Sequence, residues 1–130
     1  TPNGLVVPVV KNADKKGIVD IAKEMGELSA QAREGKLKPA DMQGATFTIS
    51  SLGGIGGTAF TPIINAPEVA IIGVNKMVER PMIRNGQVVA RKMMNLSSSF
   101  DHRVVDGMDA AQFIQAIRTY LECPATLFIE

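Results

Sequence analysis

The 130-residue chain fits one domain, and with 45% hydrophobic residues it can bury a core, although a domain this small hides only a limited share of its surface. Lys and Arg number 14 against 13 Asp and Glu, a formal charge of +1; with no basic run to neutralise a string of phosphates, no nucleic-acid partner is expected. The longest apolar runs, such as Val69 to Ile72, are far shorter than the roughly 20 residues that cross a bilayer, so no membrane partner is expected either.

The first residues lack the charged-then-apolar pattern of a signal peptide. Cys123, the single cysteine, cannot form an internal disulfide, and the single histidine offers no cluster of metal-ligand spacing. A reducing compartment and a site with no metal are the resulting expectation.

In chain order, Thr1-Pro2-Asn3-Gly4 reads as a turn. Leu5 to Val10 reads as a short strand that Pro8 keeps at an edge or bulge. A start of this kind suggests a chain cut out of something longer. From Lys16 to about Glu34, Ile18, Ile21, Ala22, Met25, Leu28 and Ala32 recur at steps of three and four, which predicts a helix ending at Gly35 and packed on a sheet. Lys36 to Gly44 is a connector with Asp41 as a candidate cap. Ala45 to Ser50 alternates as a strand with a polar end, and Ser51 to Gly57 is a glycine-rich loop.

An irregular stretch with Pro62 and Pro67 then leads to a buried strand, Val69 to Val74. Asn85-Gly86 between Met82-Ile83 and Val88-Val89 is a strong hairpin signal. Met93 to Phe100 reads as a strand and Gly107 to about Glu122 as a helix with Ala110, Ile114, Ile117 and Leu121 on one face. Leu127, Phe128 and Ile129 put three large apolar side chains at a terminus, where free ends are normally polar and frayed, so a cover is expected. The pattern as a whole predicts a layered α/β arrangement.

The informative segment is Ser97 to Gly107, which sets the only histidine, His102, between a strand and a helix, where a rigid support can carry a reacting group. Position alone leaves open a structural or merely exposed histidine beside an acid/base role. Ser50 is in the same position: a strand-end serine capping a loop is the simpler reading. Gly53 to Gly57 lacks the lysine and spacing of a phosphate-binding P-loop. It reads as close backbone approach to a ligand arm or as a plain flexible loop.

Asp101-His102-Arg103-Val104-Val105-Asp106-Gly107 resembles the H-x-x-x-D-G signature of the dihydrolipoyl acyltransferases, the core components of 2-oxoacid dehydrogenase complexes. Chloramphenicol acetyltransferase shares its shorter form. Three further segments, Gly4 to Val9, Gly44 to Gly53 and Asn65 to Ile71, resemble the family in the family's order. Together the four matches cover nearly the whole chain.

The resemblance implies an α/β fold like that of chloramphenicol acetyltransferase: a two-layer sandwich of a mixed sheet with helices packed on it. Residues 1–130 would be the C-terminal part of a single catalytic domain whose N-terminal half is missing. It implies transfer of an acyl group, most like the branched-chain type and next acetyl, between coenzyme A as substrate and a lipoyl group carried on another domain.

His102 would then be the general base, Ser50 the oxyanion donor and Asp106 a support for the loop around the imidazole, while Asp101 and Arg103 pair to shape the turn. Ser51, next to Ser50 but turned by alternation to the opposite face, is assigned with Gly73 and Asn75 to coenzyme A. Cys123 is an incidental residue.

The expected partners are a homotrimer building a larger core, the lipoyl domain, and the decarboxylase and dihydrolipoyl dehydrogenase components through missing domains. His102 and Ser50 would meet across the trimer interface. The implied location is bacterial cytoplasm, or the mitochondrial matrix in a eukaryote. A rival reading, an assembly module inactive without the missing half, stays open.

Overall fold

The computed structural model describes residues 1–129. It forms two compact units, Thr1–Thr46 and Phe47–Glu130.

The first unit is built around helix α1, Ile18–Arg33. Gly35, at φ 69°, ends it. Lys36 N–H donates to the Gln31 carbonyl at 2.8 Å and Gly35 N–H to Ala32 at 3.2 Å, the paired bonds of a helix stop that needs a left-handed residue. Of the apolar stripe, Ile21, Leu28 and Ala32 are half-buried, whereas Ile18 and Met25 stay exposed. Asp41 caps a 3-10 turn, Pro39–Met42, by accepting the Lys38 N–H at 3.0 Å.

Leu5 to Val10 is a correction to the sequence reading: it is irregular, not a strand. Its backbone hydrogen bond runs from Val9 N–H to the Asp41 carbonyl, in a unit with no strand among the described residues. β-branched residues extend a backbone, but a strand also needs a ladder partner.

The second unit holds strands β1 (Thr48–Ser51), β2 (Ala70–Val74), β3 (Val78–Arg84), β4 (Gln87–Met93) and β5 (Leu96–Phe100), then helix α2 (Gly107–Glu122). β2 lies between parallel β1 and antiparallel β5. Flanked on both sides, it carries the core residues Ala70, Ile71 and Ile72, whose isoleucines contribute about 1.5–3 kcal/mol each by burial. β3 and β4 form a separate hairpin. Its turn residues Asn85 and Gly86 have φ of 50° and 74°, the two left-handed positions of a type I′ turn. Pro81 is tolerated in β3 because a two-stranded ribbon consists of edges. The stretch read as one strand from Met93 breaks at Met94-Asn95, so β4 and β5 are separate.

Register assigns the two faces of the three-stranded sheet. Residues paired across strands point the same way and alternate residues share a face, which puts Ile49, Ile72 and Phe100 on one side and Ser50, Gly73 and Ser97 on the other. Helix α2 covers the first face: the Phe113 ring lies 5.6 Å from Phe47 and 6.3 Å, edge-on, from Phe100.

Segment 57–62 straps the second face. Lys76 N–H donates to the Gly57 carbonyl and Phe60 N–H to Ser97 Oγ, while Asn95 Nδ2 donates to Thr58 and Ser99 Oγ to Pro62. The Phe60 ring occupies the space a side chain at 73 would take, since a Cβ there would stand 2.3 Å from Phe60 Cζ. Gly73→Ala should therefore cost about 1–3 kcal/mol through overpacking. Chemical denaturation of the full chain measures this, and the penalty should shrink when Phe60 is first replaced by Leu.

Candidate active site

The histidine turn grows directly out of the sheet. After β5 ends at Phe100, Asp101 N–H donates to the Val69 carbonyl at 2.8 Å, and the Asp101 carbonyl accepts from Val104 and Val105 N–H, both at 2.9 Å. His102 is exposed at the crest of this turn. Its ring makes no hydrogen bond or ion pair among the described residues.

The Asp101 carboxylate accepts the Arg103 backbone N–H at 3.0 Å and grips the guanidinium, with Nη2 to Oδ2 at 2.6 Å. The Arg103 side-chain hydrogen bonds, reinforced by its backbone N–H, lower the Asp101 carboxyl to about 2. Asp101 in turn raises the Arg103 pKa. A carboxylate held below its unfolded value adds stability that is complete above the ordinary carboxylate range and is lost as pH falls toward 2. At an exposed pair that contribution is small.

Asp106 is the residue before α2. Its carbonyl accepts the Ala110 N–H at 3.0 Å, but its carboxylate makes no capping bond. Among the described residues its carboxylate makes no hydrogen bond.

Ser50, Gly73 and Asn75 share the strapped face of the sheet. Ser51 points to the other face, where it is exposed and accepts the Gly53 N–H at 3.2 Å. Gly73 lies under the Phe60 ring. Asn75 is buried; its Nδ2 donates to the Asn95 carbonyl at 3.0 Å and Ser97 Oγ at 2.9 Å, while its Oδ1 has no partner. Below this group the buried Glu68 accepts from Thr48 Oγ1 at 2.7 Å and Asn65 Nδ2 at 3.0 Å.

Phe60, Asn95 and Ser97 were not singled out by the sequence reading. The signal for Ser97 was available: three successive serines in a strand, where β-branched residues are the norm, point to hydroxyls with hydrogen bonds to make.

Ser50 and His102 stand at opposite ends of the sheet. Ser50 lies in the row of Gly73 and Ser97, whereas Phe100, two residues before His102, lies in the row of Ala70. Three residues along the strands and two strands across separate Ser50 from Phe100 by about 14 Å. The hydroxyl and the imidazole thus leave the sheet of one copy at opposite ends. Among the described residues no three metal-ligating side chains cluster, and no helix is long and apolar enough to cross a membrane.

Comparison with known proteins matches residues 1–129 to the family of 2-oxoacid dehydrogenases acyltransferase (catalytic domain). The lipoamide acyltransferase component of the branched-chain alpha-keto acid dehydrogenase complex of Pseudomonas aeruginosa is 59% identical over 98% of this chain and 30% of its own length. A solved dihydrolipoamide acetyltransferase of Azotobacter vinelandii, studied for the catalytic roles of a serine, a histidine and an asparagine, has a TM-score of 0.92 at 50% identity. The match covers 98% of this chain and 53% of that one.

The cubic core of the pyruvate dehydrogenase multienzyme complex is equally similar in fold, with a TM-score of 0.92 at 49% identity over the same shares of the two chains. The chain thus spans under a third of that curated relative and about half of the solved catalytic chains. With the family match over residues 1–129 and this fold likeness, this chain belongs to the acyltransferase catalytic-domain family of the 2-oxoacid dehydrogenases.

Proposed function

We propose that the chain carries the catalytic base and the oxyanion donor of an enzyme that moves an acyl group between dihydrolipoamide and coenzyme A. The observation that carries this reading is a spacing. In the Azotobacter enzyme the serine and histidine studied for catalysis lie 52 residues apart and the asparagine four beyond the histidine. Ser50, His102 and Asp106 keep both intervals. Aspartate stands where that enzyme has asparagine, which argues against an essential charge at Asp106 and for a supporting role.

A free thiol has a pKa near 8.5, so little coenzyme A is thiolate at neutral pH and a positioned base is needed. His102 takes the thiol proton as the sulfur attacks the thioester carbonyl, a contribution of roughly 10²–10⁴-fold. The Ser50 hydroxyl donates to the oxyanion of the tetrahedral intermediate. Collapse breaks the bond to the lipoyl sulfur, which leaves with the proton held by the imidazolium. No acyl-enzyme forms.

Because Ser50 and the His102 turn leave one sheet at opposite ends, the proposed reaction joins His102 of one subunit to Ser50 of a neighbour in a trimer. The unpartnered Asn75 Oδ1 fits an amide N–H of the pantetheine arm, which supports Asn75 as a coenzyme A contact. Gly73, on the same face, lies under Phe60, and Ser51 faces away from this path; the lipoyl-bearing domain supplies the second substrate.

Similarity to the Pseudomonas component supports a branched-chain acyl group, while a pyruvate dehydrogenase acetyltransferase component from Cupriavidus necator, 62% identical over 87% of this chain, and the Azotobacter enzyme keep acetyl as a close second reading. The likeness to a cubic core supports assembly of trimers into a larger particle, with the decarboxylase and dihydrolipoyl dehydrogenase components as further partners. The tail supports a docking role: Pro124–Phe128 is a 3-10 helix, and Phe128 and Ile129 are 79% and 72% exposed. If the described residues act only as an assembly module, no variant at Ser50 or His102 will alter turnover.

His102→Ala in the assembled enzyme should lower turnover by about 10²–10⁴-fold, and Ser50→Ala by about 10²–10³-fold, with folding retained in both. Steady-state assays with unfolding curves check this, and a His102→Ala enzyme near the wild-type rate would remove the assignment. Turnover with isobutyryl-, acetyl- and succinyl-dihydrolipoamide should rank isobutyryl first. Deleting residues 124 to 130 should lower the particle size in light scattering, and an unchanged size would count against docking through the tail.

A further inference from the structure

Every hydrogen bond of the turn that carries His102 ends on Asp101. Its carbonyl accepts from Val104 and Val105, its carboxylate accepts the Arg103 backbone N–H and guanidinium, and its own N–H is anchored on Val69 at the edge of β2. Two closures therefore surround His102. The Asp101 Oδ1 bond to Arg103 N–H spans it as an Asx-turn, and the Asp101 carbonyl bond to Val104 N–H spans His102 and Arg103 as a β-turn.

We infer that Asp101 is the positioning residue for the His102 imidazole, acting through its side-chain oxygen as a turn acceptor and not through its charge. This rests on the reading of His102 as the base.

The physical reason is the direction of the Cα–Cβ bond. An exposed ring with no partner of its own is aimed only by the backbone that bears it, so the φ and ψ of His102 set where its ring nitrogens can reach. Asp101 fixes both while being tied to the sheet, and the sheet to the rest of the unit. The alternative support, the Asp106 carboxylate, makes no bond to the turn or the helix start. The Arg103 guanidinium is exposed, and an exposed pair of this kind adds little energy. Its geometric effect is to hold the carboxylate plane in the orientation that receives the backbone N–H. Misplacing a reacting group by about 1 Å can cost about 10²-fold, so a turn that sags when its acceptor is lost reduces turnover without touching substrate binding.

Two substitutions separate acceptor from charge. Asp101→Asn removes the charge but keeps an oxygen at the same reach, whereas Asp101→Glu keeps the charge but lengthens the ring by one methylene. In the full assembled enzyme, Asp101→Glu and Asp101→Ala should each lower kcat by about 10²-fold with the KM for coenzyme A within about twofold of wild type, and Asp101→Asn should stay within about tenfold. His102→Ala is measured alongside. Wild-type kcat in Asp101→Glu, equal losses in Asn and Glu, or a loss confined to KM would overturn the inference while an inactive His102→Ala left the base assignment standing. Retained turnover in His102→Ala would overturn both. If Asp101→Ala fails to assemble, the Asn and Glu pair decides.

Discussion

The constraint on which the rest depends is the mixed pairing around β2. Because β1 runs parallel to it and β5 antiparallel, the exit of β1 and the exit of β5 lie at opposite ends of one sheet. Ser50 is at the first exit and the His102 turn follows the second. Had β5 run parallel, both groups would emerge at the same end and a single chain could have held a complete site. On the proposed reading, the antiparallel choice leaves a hydroxyl at one end of each copy and an imidazole at the other, and it turns association between copies into a requirement of that chemistry.

The same pairing divides the sheet into two faces with different tasks. The α2 face is apolar and aromatic, with Phe113 set between Phe47 and Phe100. The opposite face is polar: hydroxyls from Thr48, Ser97 and Ser99 and the amide of Asn95 hold the connection between β1 and β2 against the sheet, while the Asn75 amide ties Asn95 to Ser97. A parallel connection needs a crossover of a dozen or more residues. Here it contains only a 3-10 turn, Gly53–Ile55, so side chains supply the order that a helix would otherwise provide. Ser50 faces this polar, strapped side, where a hydroxyl can be oriented.

Much of this was legible along the chain, and the reason differs by element. The stop of α1 at Gly35, the Asn85-Gly86 hairpin and the whole of α2 were readable because each rests on contacts within a few residues. The break between β4 and β5 and the irregular path of Leu5 to Val10 were not, since both depend on whether a distant segment offers a ladder. The division of labour between Asp101 and Asp106 was also hidden. Both carboxylates flank the same histidine, and only the fold decides which one the backbone of the turn can reach.

The amino-acid sequence by itself determined the family, the periodic elements and the single histidine between a strand and a helix, because these depend on residue types and short spacings. Tertiary structure alone decided that Ser50, Gly73 and Asn75 share a face that Ser51 does not, that Phe60 covers Gly73, and that the serine and the histidine turn of one copy leave the sheet at opposite ends. Those facts follow from strand direction and register, which are set by contacts between residues distant in the chain and leave no mark on local composition.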